Sequence, residues 1–189
     1  MRVSCEDGRD FIRSAVSRVY DEPFPAYNGP KPSRMQEEKE RKRLQKLAAE
    51  GKPIPAPAPI ANTSPPRRAI AHFVMNLPDS AITFLDAFRG ILADDSRNLS
   101  GTYEQMPMVH CHCFTRELEF EKAEMDIRQV RTIILFRKST YRHSNQRVET
   151  TIGHSLVDDV SLHLVRSVAP NKEMYCISFR LPREVALMK

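Results

Sequence analysis

Asn76, Leu77 and Pro78 form the tripeptide of this chain best suited to hold a flat heterocycle. The Asn76 amide can both accept and donate. Pro78 fixes its own φ and pushes Leu77 toward an extended conformation, so the Leu77 carbonyl can point outward instead of entering a helix. A side-chain carbonyl and a backbone carbonyl side by side can accept from the N–H groups of a nucleobase. The plainer reading is a strand-to-helix turn with an Asn cap. A second group is His110-Cys111-His112-Cys113, in which each residue type falls on its own face of a strand. Either pair would need further ligands to hold a metal. The usual zinc spacings C-x₂-C and H-x₃-H are absent, and no metal is expected. A third is Asp7-Gly8, a turn whose acid can cap the helix that follows.

The elements that position these residues follow from periodicity. Ala69 to Met75 is an apolar run short enough for a buried strand. After the tripeptide, Ala81, Ile82, Leu85 and Phe88 share a helical face, and Gly90 is a stop. Arg2 to Cys5 reads as the end of a strand. Asp7-Gly8 makes a turn, and Asp10 or Gly8 can cap a helix running to about Tyr20, with Phe11, Ile12, Ala15, Val16 and Val19 at helical spacing. Ile91 to Gln105 is polar and loop-like, and Met108 to Phe114 is the next strand. Thr115 caps a helix of about twenty residues, from Glu117 to near Phe136, acidic first and basic after. Val157 to Val168 and Met174 to Leu181 form a hairpin around Ala169-Pro170-Asn171-Lys172. The order of elements predicts an α/β fold.

Residues 21–66 break the pattern. They hold ten of the fourteen prolines, including the alternating Pro53, Pro55, Pro57 and Pro59. Such a segment is extended and solvated. Between its proline clusters, RMQEEKERKRLQKLAAEG from Arg34 is helix-prone, but its apolar residues are too few for a packed face. A solvated helix in a disordered insertion is the first reading; a phosphate-backbone contact through Arg41, Lys42, Arg43 and Lys46 is the sharper one. The net charge of +5 is concentrated here: Lys31 to Lys52 has eight Lys/Arg against four Glu. The remainder is nearly balanced, so nucleic-acid binding does not follow from charge alone. The spacing of Cys5, Cys111, Cys113 and Cys176 is not that of a secreted disulfide framework, which implies reduced thiols and an intracellular protein. No apolar run is long enough for a membrane span, and Glu6, Asp7 and Asp10 argue against a mitochondrial presequence.

HFVMNLPDSAITFLDAFRG, His72 to Gly90, resembles the fourth motif of the archaeal and eukaryotic tRNA (guanine(37)-N(1))-methyltransferases. These are class I enzymes with a Rossmann-like domain and S-adenosyl-L-methionine as methyl donor. CEDGRDFI (Cys5 to Ile12) and VAPNKEMYCISFRLP (Val168 to Pro182) agree with the same family, in its order. The resemblance implies the C-terminal portion of a Rossmann-like class I methyltransferase sheet, with its first strands missing and an antiparallel closing hairpin. Residues 1–20 and 67–189 would be its two parts, and 21–66 a disordered Pro-rich and charged insertion. It also implies N1 methylation of the guanosine at position 37, beside the anticodon, with tRNA as partner and the cytoplasm, nucleus or mitochondrial matrix as compartment. Asp7, Gly8 and Asn76 would meet the cofactor; Asn76, Leu77 and Pro78 would meet the guanine. The family's His-Cys-x-Cys run is a sheet strand with no metal.

No G-x-G pattern occurs among the six glycines. The family's glycine-rich cofactor loop, catalytic Arg and general-base Glu lie upstream of the matching motifs, so no catalytic residue is assigned in this chain. The chain alone is therefore expected to be inactive and to bind the cofactor weakly or not at all. Two further readings stand beside a fragment of the methyltransferase: a related tRNA-modifying transferase of the wybutosine pathway, and a non-catalytic module that binds tRNA or protein.

Overall fold

The computed structural model describes residues 2–26, 29, 32–51, 65–128 and 148–189. The chain divides into two compact units, Met1–Glu22 with Arg68–Lys189, and Pro23–Arg67. In the first unit, α1 (Gly8–Asp21) precedes β1 (His72–Met75), a 3₁₀ helix (Ala81–Phe88) and β2 (Met108–Thr115). Then come α3 (Phe120–Arg128), α4 (Val148–Ile152), β3 (Ser161–Ala169), β4 (Lys172–Arg180) and α5 (Arg183–Ala186). The second unit holds α2 (Arg34–Ala49) and an isolated antiparallel bridge between Phe24 and Arg67. The fold is α/β, as the order of elements predicts. Among the described residues no helix is long and apolar enough to cross a membrane.

The sheet runs β1-β2-β4-β3. β1 pairs parallel with β2, placing Phe73 opposite Val109 and Met75 opposite Cys111. β2 pairs antiparallel with β4, and β4 antiparallel with β3, so the expected closing hairpin is present. Its turn places Asn171 at φ 57°, a left-handed conformation that Asn tolerates better than most residues.

Alternation decides which way each strand faces. Val109, Cys111, Cys113 and Thr115 of β2 are buried, and the residues between them are only partly so. Across the register, Phe179, Ile177 and Tyr175 of β4 lie opposite Val109, Cys111 and Cys113 on the same face. This face joins Ile12, Ala15 and Val16 of α1, Leu85 and Phe88 of the 3₁₀ helix, Ala123 and Ile127 of α3, and Val148 and Ile152 of α4 in one core. Phe88, fully buried, meets the edge of Phe73 at 5.0 Å between centroids, a favourable aromatic geometry.

Four expectations change. Arg2 to Cys5 forms no strand; its residues are exposed, and no described strand lies beside them to supply ladder hydrogen bonds. The element after the tripeptide is a 3₁₀ helix and not an α-helix. It ends as expected at Gly90, whose φ of 74° favours glycine. A Cβ there would also come within 2.6 Å of the Met188 carbonyl oxygen. The helix expected from Glu117 begins at Phe120, after a turn in which Thr115 Oγ1 accepts from the Glu117 N–H at 3.1 Å and donates to Asp126 at 3.0 Å. The portion expected beyond Arg128 lies outside the described residues, as do the alternating prolines. Finally, 91–105 is not simply polar loop: Leu92, Leu99 and Tyr103 are buried, and the Tyr103 hydroxyl accepts from the Ile70 N–H at 2.9 Å.

Candidate active-site edge

The tip after β1 is built from the tripeptide. Asn76 and Leu77 are exposed and Pro78 is half-buried. The Asn76 side chain makes no hydrogen bond to any described residue and does not cap the following helix; Ser80 stands at that N-cap position. The plainer reading of Asn76 as a cap therefore fails, and its amide is free to meet a ligand.

Leu77 behaves otherwise than expected. Its carbonyl accepts from the Ser80 N–H at 3.0 Å and from the Ala81 N–H at 2.7 Å. Both lone-pair directions are engaged in the turn, so this carbonyl does not point outward to a nucleobase. Pro78 does what its ring dictates in starting a turn, but the turn folds the carbonyl inward. What Leu77 offers at the surface is its isobutyl group, 55% exposed.

Asp7 is the N-cap of α1, its Oδ1 accepting from the Arg9 N–H at 2.8 Å. Its second carboxylate oxygen makes no hydrogen bond to a described residue and faces an exposed surface. Gly8 follows because the helix start is pressed against Phe84. A Cβ on Gly8 would lie 3.2 Å from that ring. Arg9 locks the contact. Its Nε donates to Asp86 at 3.0 Å, its Nη2 donates to the Thr83 carbonyl at 2.6 Å, and its guanidinium lies 4.9 Å from the centre of the Phe84 ring. The start of α1 is thus tied to the 3₁₀ helix that follows directly from Asn76, Leu77 and Pro78. Arg9 and Phe84 escaped the sequence reading. Arg9 lies two residues past a capping Asp, and only the fold shows what its side chain reaches.

The second face of the sheet carries the histidines. His72 Nδ1 and His110 Nε2 are 3.0 Å apart, with rings stacked at 5.3 Å, and His110 Nδ1 lies 2.8 Å from Ser178 Oγ. Between the two rings one N–H donates to the other ring's bare nitrogen, and the tautomer of His110 decides whether it donates to the Ser178 hydroxyl or accepts from it. Burial, with His72 and His112 nearby, holds the His110 pKa below the ordinary imidazole value. The His112 Nδ1 is buried without a partner. Cys111 and Cys113 face the core instead. Burial is the main cause that pushes both thiols up, Cys113 to about 12, so they are unreactive at neutral pH. Strand geometry therefore splits the His-Cys run between two faces. Among the described residues no three metal-binding side chains converge.

Comparison with curated proteins gives relatives along nearly the entire chain. A protein named tRNA (guanine(37)-N(1))-methyltransferase from Coprinopsis cinerea is 55% identical over 98% of this chain. Proteins of the same name from Cryptococcus neoformans and Saccharomyces cerevisiae are 41% and 36% identical over 98% and 95% of it. The chain is homologous to part of the tRNA (guanine(37)-N(1))-methyltransferases. It spans about 37% of the length of the Coprinopsis protein, 36% of the Cryptococcus protein and 33% of the Saccharomyces protein. No family model and no solved structure matches it. The homology covers Asp7, Gly8, Asn76, Leu77 and Pro78 together with the insertion between them, because the aligned share leaves almost nothing of the chain out.

Proposed function

We propose that this chain is the C-terminal part of a tRNA (guanine(37)-N(1))-methyltransferase, and that its sheet edge holds the target guanine and the adenosine end of S-adenosyl-L-methionine. The observation that carries this reading is the free Asn76 amide at the carboxyl end of a parallel strand, where α/β sheets bind ligands. Homology to proteins of that name supports the choice of reaction.

The residues present fit one end of the cofactor. The free oxygen of Asp7 can accept from an exocyclic amine, and the half-buried Phe84 ring beside Gly8 offers an apolar wall. When bound, S-adenosyl-L-methionine supplies an electrophilic methyl group. This chain's own contribution is positioning. The Asn76 amide can donate to the guanine O6, holding the edge of the ring while N1 stays clear for the methyl group. Leu77 and Pro78 line the approach with apolar surface and exclude water. Arg9, through Asp86 and Thr83, holds the Asp7 and Asn76 tips in a fixed relation, which matters because small misplacements of reacting groups cost large factors in rate. Transfer to N1 also removes the N1 proton, and by the family resemblance the base that takes it belongs to the remainder of the enzyme.

The test is a chimaera in which this chain replaces the homologous stretch of the Coprinopsis protein. Labelled methyl groups should pass from S-adenosyl-L-methionine to a tRNA carrying guanosine at position 37, and not to one carrying adenosine there. Asn76→Ala should lower kcat by about 100-fold while circular dichroism stays unchanged. A folded chimaera that methylates neither tRNA, or an Asn76→Ala variant at full rate, would sink the reading.

A further inference from the structure

Helix α2 buries no side chain against the described residues. None of its sixteen residues is buried, Met35 is 80% exposed, and Leu44 and Leu47 are only half-covered. A helix that is polar all round needs another reason to hold its shape. Here Ser33 and Gln36 close a full capping box, and Lys42–Glu38 pairs at 3.0 Å. The local sequence thus specifies a helix without specifying a core for it.

The charges on that helix are sorted. Its acids, Glu37, Glu38 and Glu40, all precede residue 41, and from Arg41 to Ala49 every charged residue is a cation. Lys39, Lys42, Arg43 and Lys46 recur at spacings of three and four, which puts them on one side of the helix. They share one shallow surface with Gln36 and Glu40. Arg43 is 3.6 Å from Glu40, whereas among the described residues no acid pairs with Lys39, Arg41 or Lys46. The stripe from Lys39 to Lys46 rises about 10 Å along the axis.

We infer that this stripe is a docking surface for an RNA phosphate backbone, and that it strengthens the hold of the enzyme on its tRNA. The inference rests on the function proposed above, which makes tRNA the partner at hand. Two features favour RNA over an acidic protein. Protein interfaces are anchored by buried apolar and aromatic side chains, and α2 has no aromatic residue and no apolar face. A phosphate backbone asks only for cations and hydrogen-bond donors on an accessible surface, which Lys39, Lys42, Arg43, Lys46 and Gln36 provide. The contact carries no base specificity.

The experiment measures binding of a fluorescently labelled, unmodified tRNA to the 189-residue chain at salt concentrations from about 50 to 200 mM. The quadruple variant Lys39→Gln, Lys42→Gln, Arg43→Gln, Lys46→Gln is compared with the triple variant Arg13→Gln, Arg116→Gln, Arg166→Gln, which removes charge elsewhere. Circular dichroism checks that the helix persists. The quadruple variant should bind at least about tenfold more weakly at the lowest salt, and its log–log salt slope should be shallower by about 3. The triple variant should change little. Equal losses in both variants, no loss in the quadruple, or absent tRNA binding by the parent chain would each overturn the inference. So would loss of binding to polyglutamate with tRNA binding intact, which would mark an acidic-protein surface instead. In the chimaera the quadruple change should raise KM for tRNA and leave kcat alone. A chimaera that binds tRNA through α2 but never methylates it sinks only the proposed reaction, so the two failures are distinguishable.

Discussion

The two faces of β2 obey different rules although their residues alternate along a single strand. Val109, Cys111, Cys113 and Thr115 are covered and meet side chains from α1, the 3₁₀ helix, α3 and α4. Met108, His110, His112 and Phe114 are half-covered, and their neighbours across the sheet are Arg180, Ser178, Cys176 and Met174. Val74, on the same second face, is 66% exposed. The first face is a finished core in which every polar atom is costly. The second is an amphipathic surface with imidazoles hydrogen-bonded to one another and one orphaned nitrogen, His112 Nδ1. Identical chemistry placed one residue earlier or later therefore has opposite consequences, because a strand reverses direction at every step.

The largest expected effect lies on the finished face. Phe88 is fully buried against Phe73. Phe88→Ala should lower the urea-unfolding free energy of the chain by about 3–5 kcal/mol, from lost transfer energy and the cavity left behind. A loss below about 1 kcal/mol would mean that this core is not closed as described. The next effect sets the faces against each other. Cys113→Ser puts a hydroxyl into the apolar side and should cost about 1–3 kcal/mol. Cys176→Ser, on the half-covered side near Ser178, should stay within about 0.5 kcal/mol. Equal costs for the two serines would erase the distinction between the faces.

Most of this architecture was legible in local patterns. Apolar periodicity marked α1, β1, β2 and the closing hairpin, and Gly90 marked the end of the 3₁₀ helix, because these signals act within a few residues. The alternation in His110-Cys111-His112-Cys113 split the two residue types correctly between faces. What escaped depends on partners far away in sequence. The His72–His110 pair requires the parallel register of β1 on β2, which no local pattern encodes. The Arg9 clamp requires Asp86 and Thr83, more than seventy residues on. At the site the failure is instructive in the other direction. Pro78 correctly signalled a turn, but the carbonyl of Leu77 serves that turn, whereas the Asn76 side chain bonds to no described residue.

The smallest expected effect tests whether the second face responds to pH. His110 faces His72 from β1, His112 on its own strand and Ser178 from β4. Its folded pKa is lowered, by burial first and by the two histidines after that. The unfolded chain, with an imidazole near the ordinary value of about 6.5, then binds more protons than the folded one in the interval between the two pKa values. Folding stability therefore rises with pH across that interval and falls as pH drops below about 6.5. The His72–His110 hydrogen bond points the same way, since a proton on both facing nitrogens leaves neither as acceptor. His110→Asn can keep a bond to Ser178 while removing the titration. Its thermal midpoint should fall less than that of the parent chain between about pH 7.5 and 5.5. Parallel falls in the two proteins would mean that His110 titrates alike folded and unfolded, and that the half-covered face is electrostatically no different from open surface.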